Sequence, residues 1–150
     1  MQLTMFSDLA LRVLMYTHAA GDRLVTIDEI TDAYKVSRAH LNKVVNALTR
    51  AGYLTAVRGR SGGIRLGKPA EEIGLGNVIR ATEPDFALVE CFSTGNQCVI
   101  TKCCKLQVVL DDALQAFMTT LDQHTLATIA LRPRDFPISP RRSLARQSVR

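Results

Sequence analysis

The sequence predicts a mainly α-helical fold with a small β-hairpin, arranged as a winged helix-turn-helix plus a long dimerisation helix. Two amphipathic segments with a brief turn between them occupy residues 26–51, and a glycine-rich pair of extended segments follows at 53–66. A long apolar repeat runs from 104 to 121. With 150 residues, 47% of them hydrophobic, the chain suits one domain with an ordinary core.

Three helices are predicted before the hairpin. The first covers residues 5–20, where apolar side chains recur at helical spacing. The second covers 26–34 and opens with a capping-box pattern formed by Thr26 and Glu29. The third begins after Ser37, which suits an N-cap, and its predicted buried face consists of Leu41, Val44, Val45 and Leu48.

The hairpin that follows would complete a winged helix. Residues 53–57 and 64–66 are strands by composition, and Arg58-Gly-Arg-Ser-Gly-Gly63 makes a basic turn between them. A short amphipathic helix is predicted at 75–82. We therefore assign residues 1–84 to a winged helix-turn-helix region.

The rest of the chain divides into three predicted parts. Residues 85–104 form an irregular loop that carries all four cysteines. Residues 105–131 comprise the dimerisation helix, to about residue 121, and a shorter packing helix at 122–131. The apolar stripe of the long helix exceeds what one small protomer would cover, although internal core packing is an alternative explanation. Residues 132–150, with six arginines and three prolines, are a predicted disordered basic tail.

Charge is strongly segregated along the chain. Residues 35–68 hold eight basic side chains and no acid, whereas residues 1–34 have a net charge of −3 and residues 69–131 one of −5. A basic block between two acidic ones is the electrostatic footprint expected for a polyanion such as DNA. A solvated basic face is the alternative.

The predicted DNA contacts come from the third helix and the hairpin turn. A helix of this length fits the major groove and contacts bases from its N-terminal residues, where arginine suits guanine and asparagine suits adenine. Glycines let the turn approach DNA closely, so its arginines reach phosphates or the minor groove. An ordinary surface hairpin is the alternative. The predicted DNA-binding residues are Ser37, Arg38, His40, Asn42, Lys43, Arg58, Arg60, Ser61, Gly62 and Arg65.

The cysteine spacing favours an iron–sulfur site over a zinc site. Cys91, Cys98 and Cys104 are spaced C-x6-C-x5-C, without the C-x2-C pairs or neighbouring histidines typical of zinc sites. Neither a secretory signal nor an apolar run of membrane-span length is apparent, so we expect a cytoplasmic protein with reduced thiols. Buried or free structural cysteines are the alternative.

Four segments carry a more specific signal in combination. They are the opening Thr4-Met-Phe-Ser-Asp8-Leu-Ala-Leu-Arg12, the helix after Ser37, the turn at 58–63, and the loop end Cys98-Val-Ile-Thr-Lys-Cys-Cys104-Lys-Leu. Together they resemble the winged-helix repressor family that includes the nitric-oxide-sensitive repressor NsrR and the iron–sulfur regulator IscR. The resemblance spans about residues 1–131. It implies a homodimer that binds a palindromic DNA operator and carries an iron–sulfur cluster, with [4Fe-4S] favoured over [2Fe-2S].

The resemblance also implies which residues hold the cluster. The third cysteine of the family precedes a basic residue and a leucine, which matches Cys104 and leaves Cys103 as an extra thiol. IscR-like members add a histidine three residues later, where this chain has Gln107, so the chain resembles the NsrR-type branch more closely. Asp8 is then the candidate fourth ligand, from the same or the partner protomer. An exposed salt bridge with Arg12 is the alternative for Asp8.

We therefore predict a transcriptional repressor, not an enzyme, that senses nitric oxide through the cluster and derepresses nitrosative-stress genes. A regulator that responds to cluster supply or redox status is the first alternative. A small electron-transfer or redox enzyme would explain the cysteines but not the basic block, and the sequence has no flavin or nucleotide fingerprint. A metal-free DNA-binding module is the third alternative.

Overall fold

A computed structural model describes residues 2–132 and confirms the mainly helical fold with its β-hairpin. The predicted tail lies, from residue 133 onward, outside the described residues. The elements are α1 (Met5–Ala19), α2 (Ile27–Tyr34), α3 (Arg38–Arg50), β1 (Leu54–Val57), β2 (Gly63–Leu66), α4 (Leu75–Thr82), α5 (Lys105–Asp122) and α6 (Leu126–Ile129).

Side-chain caps define where the first three helices begin. Thr4, Thr26 and Ser37 each accept a hydrogen bond from the backbone N–H three residues further on, at 3.2, 3.2 and 3.3 Å. Between α2 and α3, Lys35 adopts a left-handed conformation with φ 53°. The chain therefore leaves α2 in a tight turn and enters α3 at the predicted N-cap.

The capping box predicted for α2 forms only in part. Thr26 accepts from the Glu29 N–H, but the Glu29 carboxylate accepts instead from the Tyr16 hydroxyl at 2.8 Å and from two Arg23 nitrogens at 2.6 and 2.9 Å. Burial opposes ionisation of Glu29, yet the hydrogen bonds from Arg23 and Tyr16 outweigh it and hold the pKa of Glu29 below its usual range. A charged, partly buried network thus ties α2 to α1.

The hydrophobic core is built on one face of α1. That face packs against α3, α4 and β2, and its buried residues include Leu9, Ala10, Val13 and Leu14. All four apolar positions predicted for α3 are also buried. Helix α1 consequently contacts both the helix predicted to read DNA and the helix that leads into the cysteine loop.

The hairpin is anchored to the core at its second strand. Strands β1 and β2 pair antiparallel, from Leu54 opposite Leu66 to Val57 opposite Gly63. Ile64 is buried and exchanges two backbone hydrogen bonds with Val25, at 2.9 and 2.8 Å. The hairpin is therefore attached to the segment between α1 and α2 and cannot swing independently of it.

Helix α5 leaves apolar side chains uncovered at its beginning. Leu106, Val108 and Val109 are 61%, 61% and 60% exposed, whereas further along the helix Met118 is buried and the remaining large apolar side chains are half-buried: Leu110, Leu114, Phe117 and Leu121. This exposure favours a dimerisation helix over internal core packing. Within residues 2–132, no helix, α5 included, is long and apolar enough to cross a bilayer.

The packing helix is shorter than the predicted segment 122–131. Helix α6 contains only four residues. Residue 122 still belongs to α5, and the residues that follow it form backbone hydrogen bonds with the segment before α4. Leu75 donates its N–H to the His124 carbonyl at 2.9 Å, and Leu126 donates to the Ile73 carbonyl at 2.8 Å. These bonds join the end of α5 to the beginning of α4.

We expect Glu29→Gln to lower the free energy of unfolding by about 1–3 kcal/mol near neutral pH, because Arg23 loses its charged partner. Folding depresses the pKa of Glu29, so its contribution is complete above the unfolded-state pKa and is lost as pH falls through the folded-state pKa. The difference between wild type and variant should therefore shrink below about pH 4.

Denaturant unfolding at several pH values measures this difference. Glu71→Gln, an exposed carboxylate on the turn before α4, is the matched control and should change stability by less than about 0.5 kcal/mol. A Glu29→Gln deficit that is the same in acid and at neutral pH would contradict the ionised network.

Candidate DNA interface and cluster site

The predicted reading residues lie on the face of α3 opposite the core. Ser37, Arg38, His40 and Lys43 are exposed, and Asn42 is half-buried. Because the other face of α3 is held in the core, the orientation of this helix is fixed. Its first turn therefore presents polar and basic side chains in the place where helix-turn-helix proteins contact base edges.

Arg38 has a contact that the sequence did not predict. Its Nη1 forms an ion pair with Oδ1 of Asp28, in the first turn of α2. The two residues are ten positions apart and lie on different helices, so no local spacing rule relates them. The angle between α2 and α3 brings an acid to the beginning of the reading helix.

The predicted wing residues cluster at the free end of the hairpin. Arg58, Arg60 and Ser61 are exposed in the turn, and Arg65 is exposed on β2, paired with Thr55. These three arginines form no ion pair within the described part of the chain. Their uncompensated charge would attract phosphates beside the reading helix.

Glycine is required in the wing by close backbone contacts. A Cβ atom on Gly62 would lie 2.3 Å from the Val57 carbonyl oxygen, and one on Gly63 would lie 2.7 Å from that of Val25. Gly59 has φ 117°, which L-residues rarely adopt. The turn therefore depends on the glycines predicted for it.

The four cysteines are free thiols on the segment between α4 and α5. Cys98 and Cys103 are exposed, while Cys91 and Cys104 are half-buried. Cys91 lies in a 3-10 turn at Glu90–Phe92, and Cys104 is the residue at the N-terminal boundary of α5. The segment thus offers soft ligands without any disulfide among them.

One side-chain contact brings two of the predicted ligands towards the same helix end. Gln107 lies one helical turn after Cys104, and its side-chain amide donates a hydrogen bond to the Cys91 backbone carbonyl at 3.4 Å. Among residues 2–132, however, no three Cys, His, Asp or Glu side chains come close enough together to hold a metal ion. The protomer places Cys91 beside the first turn of α5 but does not gather the whole predicted ligand set.

The donor chemistry of this segment nevertheless fits an iron–sulfur cluster. Thiolates are the ligands such clusters require, and the segment has only short 3-10 turns at Glu90–Phe92 and Thr101–Cys103 as regular structure. Its thiols can therefore converge without breaking a helix or strand. The N-terminus of α5 and the adjacent Lys102 and Lys105 favour the negative charge of a thiolate-bound cluster.

Asp8 forms the salt bridge that was the alternative to a ligand role. Its Oδ2 lies 2.8 Å from Arg12 Nη2, and both side chains are 49% exposed. An exposed pair of this spacing contributes only about 0.3–0.5 kcal/mol, so another bond to Asp8 could replace it at small cost. The contact leaves the ligand role of Asp8 a prediction.

Arg12 links Asp8 to the end of α2. Its guanidinium carbon lies 5.9 Å from the centre of the Tyr34 ring, and the Arg12 carbonyl accepts a 3.2 Å hydrogen bond from the Tyr34 hydroxyl. Burial raises the pKa of Tyr34 to about 12, so this hydroxyl remains a donor at physiological pH. Tyr34 immediately precedes the left-handed turn into α3.

Known proteins share both the sequence pattern and the fold. A sequence model of the Rrf2 family, described as iron-dependent transcriptional regulators, matches residues 3–132. Similar solved structures include CymR, the global cysteine regulator of B. subtilis, with 23% identity, coverage of 87% of this chain and 96% of that chain, and a TM-score of 0.67. The oxidised form of Staphylococcus aureus CymR has 27% identity, 87% and 96% coverage, and a TM-score of 0.66. T. potens IscR has 21% identity, coverage of 86% of this chain and 85% of that chain, and a TM-score of 0.66.

We expect Arg60→Ala to weaken binding to every DNA sequence and to reduce the slope of log affinity against log salt by about 1, because a phosphate contact is lost. Binding titrations at several salt concentrations measure both quantities. Glu71→Gln changes the charge by one unit outside the reading region and should leave the slope unchanged. A loss confined to one base position of the site would contradict the phosphate role of Arg60.

Proposed function

Since the chain belongs to the Rrf2 family of transcriptional regulators, which bind DNA and are not enzymes, we propose that it is a repressor released from its operator by nitric oxide. Release would act through an iron–sulfur cluster and derepress nitrosative-stress genes. The observation that carries the proposal is the position of the free thiols: they lie on the segment that joins the DNA-reading region to α5.

The proposed ligands are Cys91, Cys98 and Cys104, with Asp8 as the candidate fourth. These residues would hold a cluster, with four irons favoured by the family resemblance, and the cluster would supply an iron open to nitric oxide where the Asp8 carboxylate takes the place of a thiolate. Gln107 occupies the position at which IscR-like members carry a histidine, and its amide donates to the Cys91 carbonyl. We assign Gln107 to holding the loop backbone and not to ligation, which supports the NsrR-type over the IscR-like interpretation.

The proposed DNA-binding unit is a homodimer in the cytoplasm. Family members are typically dimeric, and the exposed apolar stripe of α5 offers a surface for a second copy. A two-fold dimer places one α3 in each of two major grooves about one helical turn apart, which requires a palindromic operator. Each wing would then contact phosphates beside its half-site.

The proposed coupling is a choice of partner for Asp8. With its carboxylate committed to the cluster, Asp8 would leave Arg12 without its salt bridge; with that carboxylate released, the salt bridge to Arg12 would form again. Because Arg12 contacts Tyr34 at the end of α2, the exchange reaches the turn that positions α3. A coupling free energy of about 1–3 kcal/mol would change operator affinity roughly 5- to 150-fold.

A regulator of cluster supply or redox status is the second candidate. Cys103 favours it, because this exposed thiol is adjacent to Cys104 and lies outside the proposed ligand set. An exposed thiol next to a ligand gives oxidants a direct route to the site. The two candidates predict different signals. Nitric oxide in amounts stoichiometric with the protein should release the DNA if the first is right, and an oxidant in such amounts should release it if the second is right.

We expect Cys104→Ser to abolish cluster binding and Cys103→Ser to retain it, since the proposed ligand set includes only the second of these adjacent thiols. Iron and sulfide analysis of anaerobically purified protein measures the outcome. Each variant is the matched control of the other. Full iron and sulfide in Cys104→Ser, or their loss only in Cys103→Ser, would reverse the assignment; iron-free wild type would support a metal-free DNA-binding module.

We expect Asp8→Ala to lower the stability of the bound cluster by at least about tenfold in a chelator-competition assay, as loss of a ligating or orienting group does. Arg12→Ala breaks the same salt bridge but keeps the carboxylate, so its cluster should resist the chelator as in wild type. Titration with nitric oxide, followed by visible absorption, should show an altered course only for Asp8→Ala. Equal behaviour of the two variants would reduce Asp8 to a salt-bridge partner.

A further inference from the structure

Asp28 is an acidic exception on a basic surface. Residues 35–68 contribute eight basic side chains and no acid, and Asp28 enters this surface from α2 through its ion pair with Arg38. Of these eight basic residues, Arg38 alone forms an ion pair with a carboxylate of residues 2–132. A carboxylate in this position repels phosphates and therefore weakens general binding to DNA.

The fold places the pair at the reading end of α3. Arg38 is the first residue of that helix, directly after the Ser37 cap, and Asp28 lies in the first turn of α2, which packs against α3. The side chains of Arg38 and Asp28 are 62% and 64% exposed. DNA can therefore reach the pair without any opening of the core.

The chemistry of the pair favours a base over a phosphate. A guanidinium group has five N–H donors in one rigid plane, and Asp28 accepts from Nη1. The remaining donors can bond guanine O6 and N7 together, the commonest specific contact in the major groove. Because Asp28 holds one edge of the Arg38 guanidinium, less rotamer entropy is lost when the other edge binds a base. The Asp28 carboxylate also neutralises part of the charge of Arg38, which makes Arg38 a weaker ligand for phosphate.

We propose that Asp28 is a specificity-determining residue, which orients Arg38 to read one guanine in each half-site and suppresses binding to other DNA. It is a positioning residue, because it acts through Arg38. The proposal deepens the proposed function, since it rests on the reading role of α3, but it is independent of the cluster and of nitric oxide.

Parallel selection from a randomised double-stranded DNA pool tests the proposal with full-length, anaerobically purified protein. The proteins are wild type, Asp28→Asn, Arg38→Ala and Asp32→Asn. Asp32 is also exposed on α2 and forms no ion pair within the described part of the chain, so Asp32→Asn removes the same charge without touching Arg38.

We expect wild type to enrich a palindrome that contains one particular G·C pair in each half-site. In the sequences enriched by Asp28→Asn and Arg38→Ala, this G·C pair should no longer be required. On this palindrome, discrimination against other base pairs at that position should fall about tenfold in Asp28→Asn. Affinity of Asp28→Asn for random DNA should rise, and its salt slope should steepen by about 1, because Arg38 becomes free for phosphates. Asp32→Asn should enrich the wild-type palindrome unchanged.

The outcomes separate this proposal from the function it rests on. Identical palindromes for wild type and Asp28→Asn, with Arg38→Ala altered, would overturn the role of Asp28 and leave α3 as the reading helix. A palindrome unaffected by Arg38→Ala would remove the pair from recognition altogether. Enrichment of no sequence by wild type would overturn both the inference and the operator-binding function, whereas failure of nitric oxide to release a selected palindrome bears on the sensing function alone.

Discussion

Burial of one face of α1 is the constraint on which the other parts of the molecule depend. Leu9, Ala10, Val13 and Leu14 are at most 3% exposed, and they lie where α3, α4 and β2 meet. Full burial of a leucine or valine side chain raises the free energy of unfolding by roughly 1.5–3 kcal/mol. This face of α1 therefore contributes more to stability than any exposed ion pair among the described residues. Since such cores are close-packed, a displacement of α1 must be shared by α3 and by α4.

The cysteine segment is attached to this core through the two helices that flank it, α4 and α5. At the α4 end, the Ser7 hydroxyl donates to the Thr82 hydroxyl at 2.8 Å in a buried position. On the other side, two hydrogen bonds of 2.6 Å join Arg80 to Asp122, the last residue of α5, and hold the far end of that helix against α4. Ser7 is adjacent to Asp8, so the proposed change of ligation in the segment would act on the same packed helices as a change at the beginning of α1. This arrangement would give a physical route from the proposed ligand site to α3 without a large rearrangement.

Short-range rules account for most of what could be predicted from the sequence. The N-cap residue Ser37, the glycines of the wing and the helical period at 75–82 act over a few residues, and the structure confirms the elements that they predict. Contacts between helices could not be predicted in this way. The Glu29 network and the Asp28–Arg38 pair depend on the angles at which α1, α2 and α3 cross, and those angles follow from the whole core. The proposed ligand set is harder still to predict, because no local rule fixes the positions of three thiols on an irregular segment, and residues 2–132 do not bring them together.

The central claim is that nitric oxide controls how firmly this winged helix holds its operator. The most direct measurement is operator binding by anaerobically isolated wild-type protein, with its iron and sulfide quantified, before and after addition of nitric oxide in amounts stoichiometric with the bound iron. The account predicts tight binding before addition and a several-fold to hundredfold loss afterwards, with loss of the visible absorption of the cluster. Protein that contains no iron or sulfide and still binds and releases the same DNA on addition of nitric oxide would contradict it.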